Sequence, residues 1–167
     1  MLQQSYIDFE ERPGGGWHAV GRIPGCEAVA ADLIHDFLIV NAPLVNEYHT
    51  QVLKWREGLL RARAGQSGRA MILLASGRSQ TDFEQGLYTD LTIAFLRHDT
   101  AAFTTAVEQY RALPPPRYFG PSAEMVRSSS GTALTWPPHG AEVDNLVRCA
   151  DAPYPVAITG VCPATTP

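Results

Sequence analysis

The sequence has almost no lysine. Of its 13 basic residues only Lys54 is lysine, and the other 12 are arginine. It has no basic run, and the formal net charge is −4. Such a chain is poorly equipped to track a phosphate backbone, so nucleic acid is not expected as a partner. No apolar stretch approaches the ~20 residues that cross a bilayer, so no membrane association is expected. Cysteine is scarce too: Cys26, Cys149 and Cys162 are odd in number and form no CxxC pair, which argues against a zinc knuckle or a thioredoxin-type centre. HExxH, HxxxH, GxxxxGK[ST], GxGxxG and GxSxG are all missing. No metal and no bound cofactor are therefore expected.

The first residues, MLQQSYIDFEE, lack a basic segment followed by an apolar core. With no signal of export, the expectation is a cytoplasmic protein with reduced thiols, although Cys149 and Cys162 would be free to pair in an oxidising compartment.

What is present is a globular composition: 167 residues, 45% hydrophobic and 18% charged. That suits one domain over residues 1–162 with a frayed tail at 163–167. Ser5–Glu11 and Trp17–Ile23 alternate apolar and polar residues around Arg12-Pro13-Gly14-Gly15-Gly16, the pattern of a β-hairpin. Glu27–Val40 places Ala30, Ile34, Phe37 and Leu38 on one helical face. Pro43–Arg63 repeats Leu44, Tyr48, Val52, Trp55 and Leu59 at helical steps, with its basic residues at the end the helix dipole favours. Ala70–Ala75 reads as a buried strand. Thr81 and Glu84 form a capping box ahead of Phe83, Leu87, Leu91 and Phe95. A further helix, capped by Asp99 or Thr100, carries Phe103 and Val107 and stops at Pro114-Pro115-Pro116. Glu124–Ser128 would pair with Thr132–Trp136, Ala141–Cys149 suits a short helix, and Val156–Val161 suits a strand. The expected fold is α+β: an N-terminal hairpin, about four central helices, and a small mixed or antiparallel sheet completed by C-terminal strands.

Two function classes follow. The first is a soluble protein-binding module of the adaptor, inhibitor or immunity type. Asp32 and Asp36, one helical turn apart, would receive arginines of a partner protein, and Trp17 and Trp136 beside turns would anchor it. The second is a small enzyme whose acid–base site gathers His35, His49 and His98, helped by Asp36 or Glu47, between helices and sheet. A separate anion site would use Gly77, Arg78, Ser79 and Thr81, on a connection running into a helix start.

Overall fold

The computed structural model describes residues 1–117, 124–125 and 134–162. It is helical: 63% helix in nine helices among the described residues. The α+β expectation is overturned. The one β pairing among the described residues is an antiparallel ladder of two residues a side, Glu124–Met125 (β1) with Leu134–Thr135 (β2), which builds no sheet layer. The turn expected between them and the tail at 163–167 lie outside the described residues. The chain divides into two units, Met1–Gln80 and Thr81–Pro167.

The N-terminal unit opens with a π-helical turn, Ile7–Glu11, and a short helix α1, His18–Gly21, where the hairpin was expected. The turn between them is real, since Gly14 and Gly16 adopt positive φ. Its flanks coil instead of pairing. Phe9 is fully buried and stacks on Phe37 with ring centroids 3.9 Å apart, which an extended strand partner is not needed to achieve. Then come α2 (Glu27–Val40), α3 (Glu47–Arg63) and α4 (Ser67–Gly77). Phe9, Ala30, Ala31, Ile34, Phe37, Leu53 and Leu60 make the core cluster.

The expected strand Ala70–Ala75 lies inside α4. Ala70, Leu74 and Gly77 are its buried residues, a spacing of four and three that belongs to a helix, while Ile72 in the middle of the apolar run faces solvent. Helices α3 and α4 meet through glycine. A Cβ on Gly77 would stand 2.5 Å from the Trp55 backbone nitrogen and 2.8 Å from the Gln51 carbonyl oxygen, and one on Gly58 would stand 2.8 Å from Leu74 Cγ. Backbone atoms have no room to yield. Gly77→Ala is therefore expected to cost about 1–3 kcal/mol by overpacking. Gly68→Ala, in the first turn of α4 with nothing within 4 Å of its Cβ, should instead gain about 0.5–1 kcal/mol from helix propensity. Urea unfolding of the two variants checks the pair; equal effects would contradict the close crossing.

The C-terminal unit holds α5 (Phe83–Leu96), α6 (Thr100–Arg111), α7 (Gly140–Arg148) and α8 (Tyr154–Ala157). Asp82 caps α5 by accepting from the Gln85 amide, one residue later than the expected Thr81 cap, and Asp99 caps α6 as expected. Phe95 sits edge-on to both Phe103 and Tyr154. The expected C-terminal strand at Val156–Val161 is replaced by α8 and a turn, because Tyr154 and Ala157, three residues apart, are the buried pair. A disulfide joins Cys149, at the end of α7, to Cys162 beyond α8. Among the described residues, no helix is long and apolar enough to cross a membrane.

Three residues of the apolar helical repeats, which periodicity would put in the core, are on the surface. Leu44, Tyr48 and Phe83 are 83%, 68% and 75% exposed. The long helix begins at Glu47, capped by the Asn46 side chain, so Leu44 belongs to a corner and Tyr48 to an outward first turn.

Candidate functional site

Helix α2 carries two distinct faces. At 3.6 residues per turn its buried residues Ala30, Ala31, Ile34 and Phe37 share an arc of about 120°, and Val29, Asp32, Asp36, Ile39 and Val40 share a separate arc of about 100°. All five of the second group are exposed. The outer stripe thus alternates β-branched apolar side chains with two carboxylates. The chain then turns a corner that adds Leu44 and Tyr48.

That corner is held firmly. Asn41 is buried, and its Nδ2 donates to the carbonyls of Leu2 at 2.9 Å and Phe37 at 3.0 Å. Its own carbonyl accepts from the Leu44 and Val45 amides. Asn46 Oδ1 accepts from the His49 amide at 2.8 Å, closing the start of α3. The apolar groups are exposed on an ordered scaffold.

Behind the stripe lies a buried charge cluster. Glu57 and Arg61, each 1% exposed, face one another one turn apart on α3. Arg61 Nη2 reaches Glu57 Oε1 at 3.1 Å and Asp32 Oδ1 at 2.6 Å, and Nη1 donates to Gln66 Oε1 at 3.0 Å. Arg69 Nη2 stands 3.6 Å from the same Glu57 oxygen. Glu57 Oε2 has no hydrogen-bond partner; His35 Nδ1 is 3.8 Å away. Asp32 therefore joins the outer stripe to the α2–α3 packing.

The three histidines expected to converge occupy three settings. His35 lies on α2 beside Glu57. His49 stacks on Tyr6 with centroids 3.7 Å apart; the Tyr6 hydroxyl is pushed up to about 12 by burial and then by Glu10 and Glu11. His98 belongs to the C-terminal unit, follows α5 and adopts φ 57°, the left-handed geometry of a helix end. Asp36 and Glu47 are exposed. Among the described residues, no group of three or more His, Cys, Asp or Glu side chains is placed to hold a metal. Of the residues considered for an anion site, Gly77 is buried at the end of α4 and Arg78 donates to the Ser79 carbonyl. The helix start that follows Thr81 already carries the Asp82 carboxylate, which disfavours an added anion.

The tryptophans are tied down. Trp17 is half-buried and donates through Nε1 to Glu10 Oε2 at 2.6 Å, and Arg56 meets the other oxygen of that carboxylate at 3.0 Å. Trp136 is half-buried and donates through Nε1 to the Leu113 carbonyl at 2.9 Å.

No family model, curated protein or solved structure matches this chain. Its residues alone must carry the functional reading.

The C-terminal unit contains a tyrosine–carboxylate–histidine cluster that no motif search would pick out. Tyr88 Oη donates to Glu142 Oε2 at 2.5 Å, and His139 Nδ1 lies 3.2 Å from the same oxygen. The His139 ring stacks on Tyr88 at 4.1 Å. Tyr110 Oη donates to Glu84 Oε1 at 2.6 Å and accepts from the His139 amide at 3.1 Å. Burial holds the Glu84 carboxyl above its ordinary value, opposed by the Tyr110 hydrogen bond; burial and then that hydrogen bond raise the Tyr110 hydroxyl. The signal was present in the three-residue spacing of His139 and Glu142, which places them one turn apart at the start of α7. Their partners on α5 and α6 are far off in sequence. Beside this cluster opens a cavity of about 330 Å³, lined by Tyr110, Arg111, Thr135, Trp136, Pro137, Gly140, Ala141, Val143 and Asp144.

Proposed function

We propose that the chain is a protein-binding module that offers the outer stripe of α2, with the Leu44–Tyr48 corner, to an apolar groove rimmed by arginine or lysine in a partner protein. The observation that carries this reading is the stripe itself: exposed Val29, Ile39 and Val40 interleaved with Asp32 and Asp36 on one helical face. Each large apolar side chain left in water forgoes about 1.5–3 kcal/mol of burial. Docking an amphipathic helix face in a groove recovers that term, and the carboxylates set orientation and exclude acidic competitors. The fixed corner reduces the ordering cost of association.

The acid–base alternative has less to support it: within the N-terminal unit His35 lies beside the ion-paired Glu57 and His49 is stacked on Tyr6. In the C-terminal unit, His139 and Glu142 share hydrogen bonds with Tyr88 and Tyr110 that tie α5, α6 and α7 together, which supports a packing role for them. The expectation of a cytoplasmic setting also meets an obstacle, because the Cys149–Cys162 bond persists where the surroundings are oxidising. We therefore place the partner in such a compartment.

The test is site-specific photo-crosslinking in the native host, with the reactive side chain at Val40 or, as control, at exposed Ile72 on α4. An adduct with another protein should form from Val40 and not from Ile72. Asp36→Lys should cut its yield about tenfold, equivalent to 1.4 kcal/mol, while changing stability by less than about 0.5 kcal/mol as an exposed substitution. Equal adducts from both positions, or indifference to the charge reversal, would overturn the proposal.

A further inference from the structure

One oxygen of the buried Glu57 carboxylate is left over in the N-terminal unit. Its Oε1 takes both Arg61 and Arg69. Its Oε2 is buried and accepts no hydrogen bond. A buried carboxylate oxygen without a donor carries a desolvation cost that a donor would offset. His35 Nδ1 stands 3.8 Å from that oxygen, about 1 Å beyond the length of a charge-assisted hydrogen bond. The His35 ring is about half exposed, so it has room to close the gap. Its proton decides whether it does. A neutral imidazole donates from one nitrogen only, whereas an imidazolium donates from both and adds a charge to the bond.

The charged groups around His35 come from three helices. Asp32 and Asp36 lie on its own helix, three residues before it and one after. Helix α3 presents Glu57 and Arg61, with Lys54 one turn before Glu57, and α4 contributes Arg69. Three carboxylates and three cations cancel, so the proton on His35 sets the sign of the neighbourhood. Helix α1 meets α2 more than a turn away, where Gly21 approaches Ala30, and its one titratable side chain, His18, is bonded to the Glu10 carbonyl. His35 also borders the outer stripe: it precedes Ile39 by four residues and lies about 40° round the helix from it.

We propose that the proton on His35 gates the α2 face. The imidazolium bonds Glu57 Oε2 and adds a positive charge beside Asp32 and Asp36, which releases a partner whose groove is rimmed by cations. The gate rests on the binding reading of α2 given above. The signs are opposite for the two processes. The ion pair supports the folded N-terminal unit in mild acid and is lost as pH rises through the histidine range, whereas partner binding is strong at neutral pH and weakens in mild acid. By linkage the bound partner also disfavours the proton on His35.

The experiment has two readouts. The first is histidine-ring NMR of the free chain, taken from about pH 7.5 to about pH 5.5 across the histidine range. A His35 Nδ1 proton in through-space contact with the Glu57 side chain should appear as the pH falls. The second is the yield of the Val40 photo-crosslink in a native-host extract buffered at the same two values. Acidification should lower the yield about threefold, the size of one exposed charge pair. His35→Gln, which cannot take the charge, should keep the neutral-pH yield at both values. His35→Lys, charged throughout, should give the lower yield at both. Absence of the Nδ1 contact in acid would overturn the proposal. So would an equal acid loss in the parent and His35→Gln, which would put the pH dependence in the partner, and so would a full yield from His35→Lys. No Val40 adduct at either pH would overturn the binding reading and the gate together, whereas an adduct indifferent to His35 would overturn the gate alone.

Discussion

Arg61→Met should destabilise the N-terminal unit by about 3–5 kcal/mol, the cost of stranding a buried charge. The substitution keeps much of the volume and removes the guanidinium that holds Glu57, whose side chain is 1% exposed. What remains near that carboxylate is Arg69 at 3.6 Å and His35 at 3.8 Å, both partly in water. These soften the loss and do not abolish it. The companion variant Glu57→Met/Arg61→Met removes both charges together and should recover to within about 1 kcal/mol of the parent, since a well-packed apolar pair is often as stable as the ion pair it replaces. Denaturant unfolding with a double-mutant cycle measures both. Near-additive losses would mean that the two side chains act independently and that the pair does not organise the α2–α3 interface.

Opening the Cys149–Cys162 bond should cost the C-terminal unit about 3 kcal/mol, the chain-entropy value for a loop of this size. The bond spans a sequence separation of 13 and ties the end of α7 to the residues after α8. Helix α8 is one turn long, too short to be stable by itself. It stays in place through Tyr154 and Ala157 and through the crosslink. Cys149→Ala/Cys162→Ala should therefore speed amide exchange across 149–162 while exchange in residues 27–63 stays unchanged. A loss under about 1 kcal/mol would show that the apolar contacts alone hold α8.

The sequence was most legible where period and punctuation agreed. Helix α2 was readable from Ala30, Ile34 and Phe37, and the end of α6 from its three prolines. It was least legible in short apolar segments. In Ala70–Ala75 every residue is apolar, so neither period stands out, and only the buried Ala70–Leu74–Gly77 series reveals a helix. The alternation of Ile7 and Phe9 suggested a strand, yet their environments differ: Ile7 is exposed and Phe9 is buried. Periodicity also extended the α3 core stripe one turn too far, to Leu44 and Tyr48, because a repeat does not say where the neighbouring helix ends.

The binding face was half visible. Asp32 and Asp36 share a face by spacing alone, and that reading stands on α2 as placed. Their apolar companions Val29, Ile39 and Val40 were hidden, since an apolar residue in an amphipathic helix is read first as core. Trp17 and Trp136 were expected as exposed anchors; each is half-buried, with its indole N–H donating inside its own unit.

The most direct test of the α2 stripe as the binding surface is amide hydrogen exchange of the chain alone and with the protein captured by the Val40 crosslinker. Protection confined to residues 27–48, and lost with Asp36→Lys, is the result expected. Protection centred on residues 135–144, or none along α2, would contradict it.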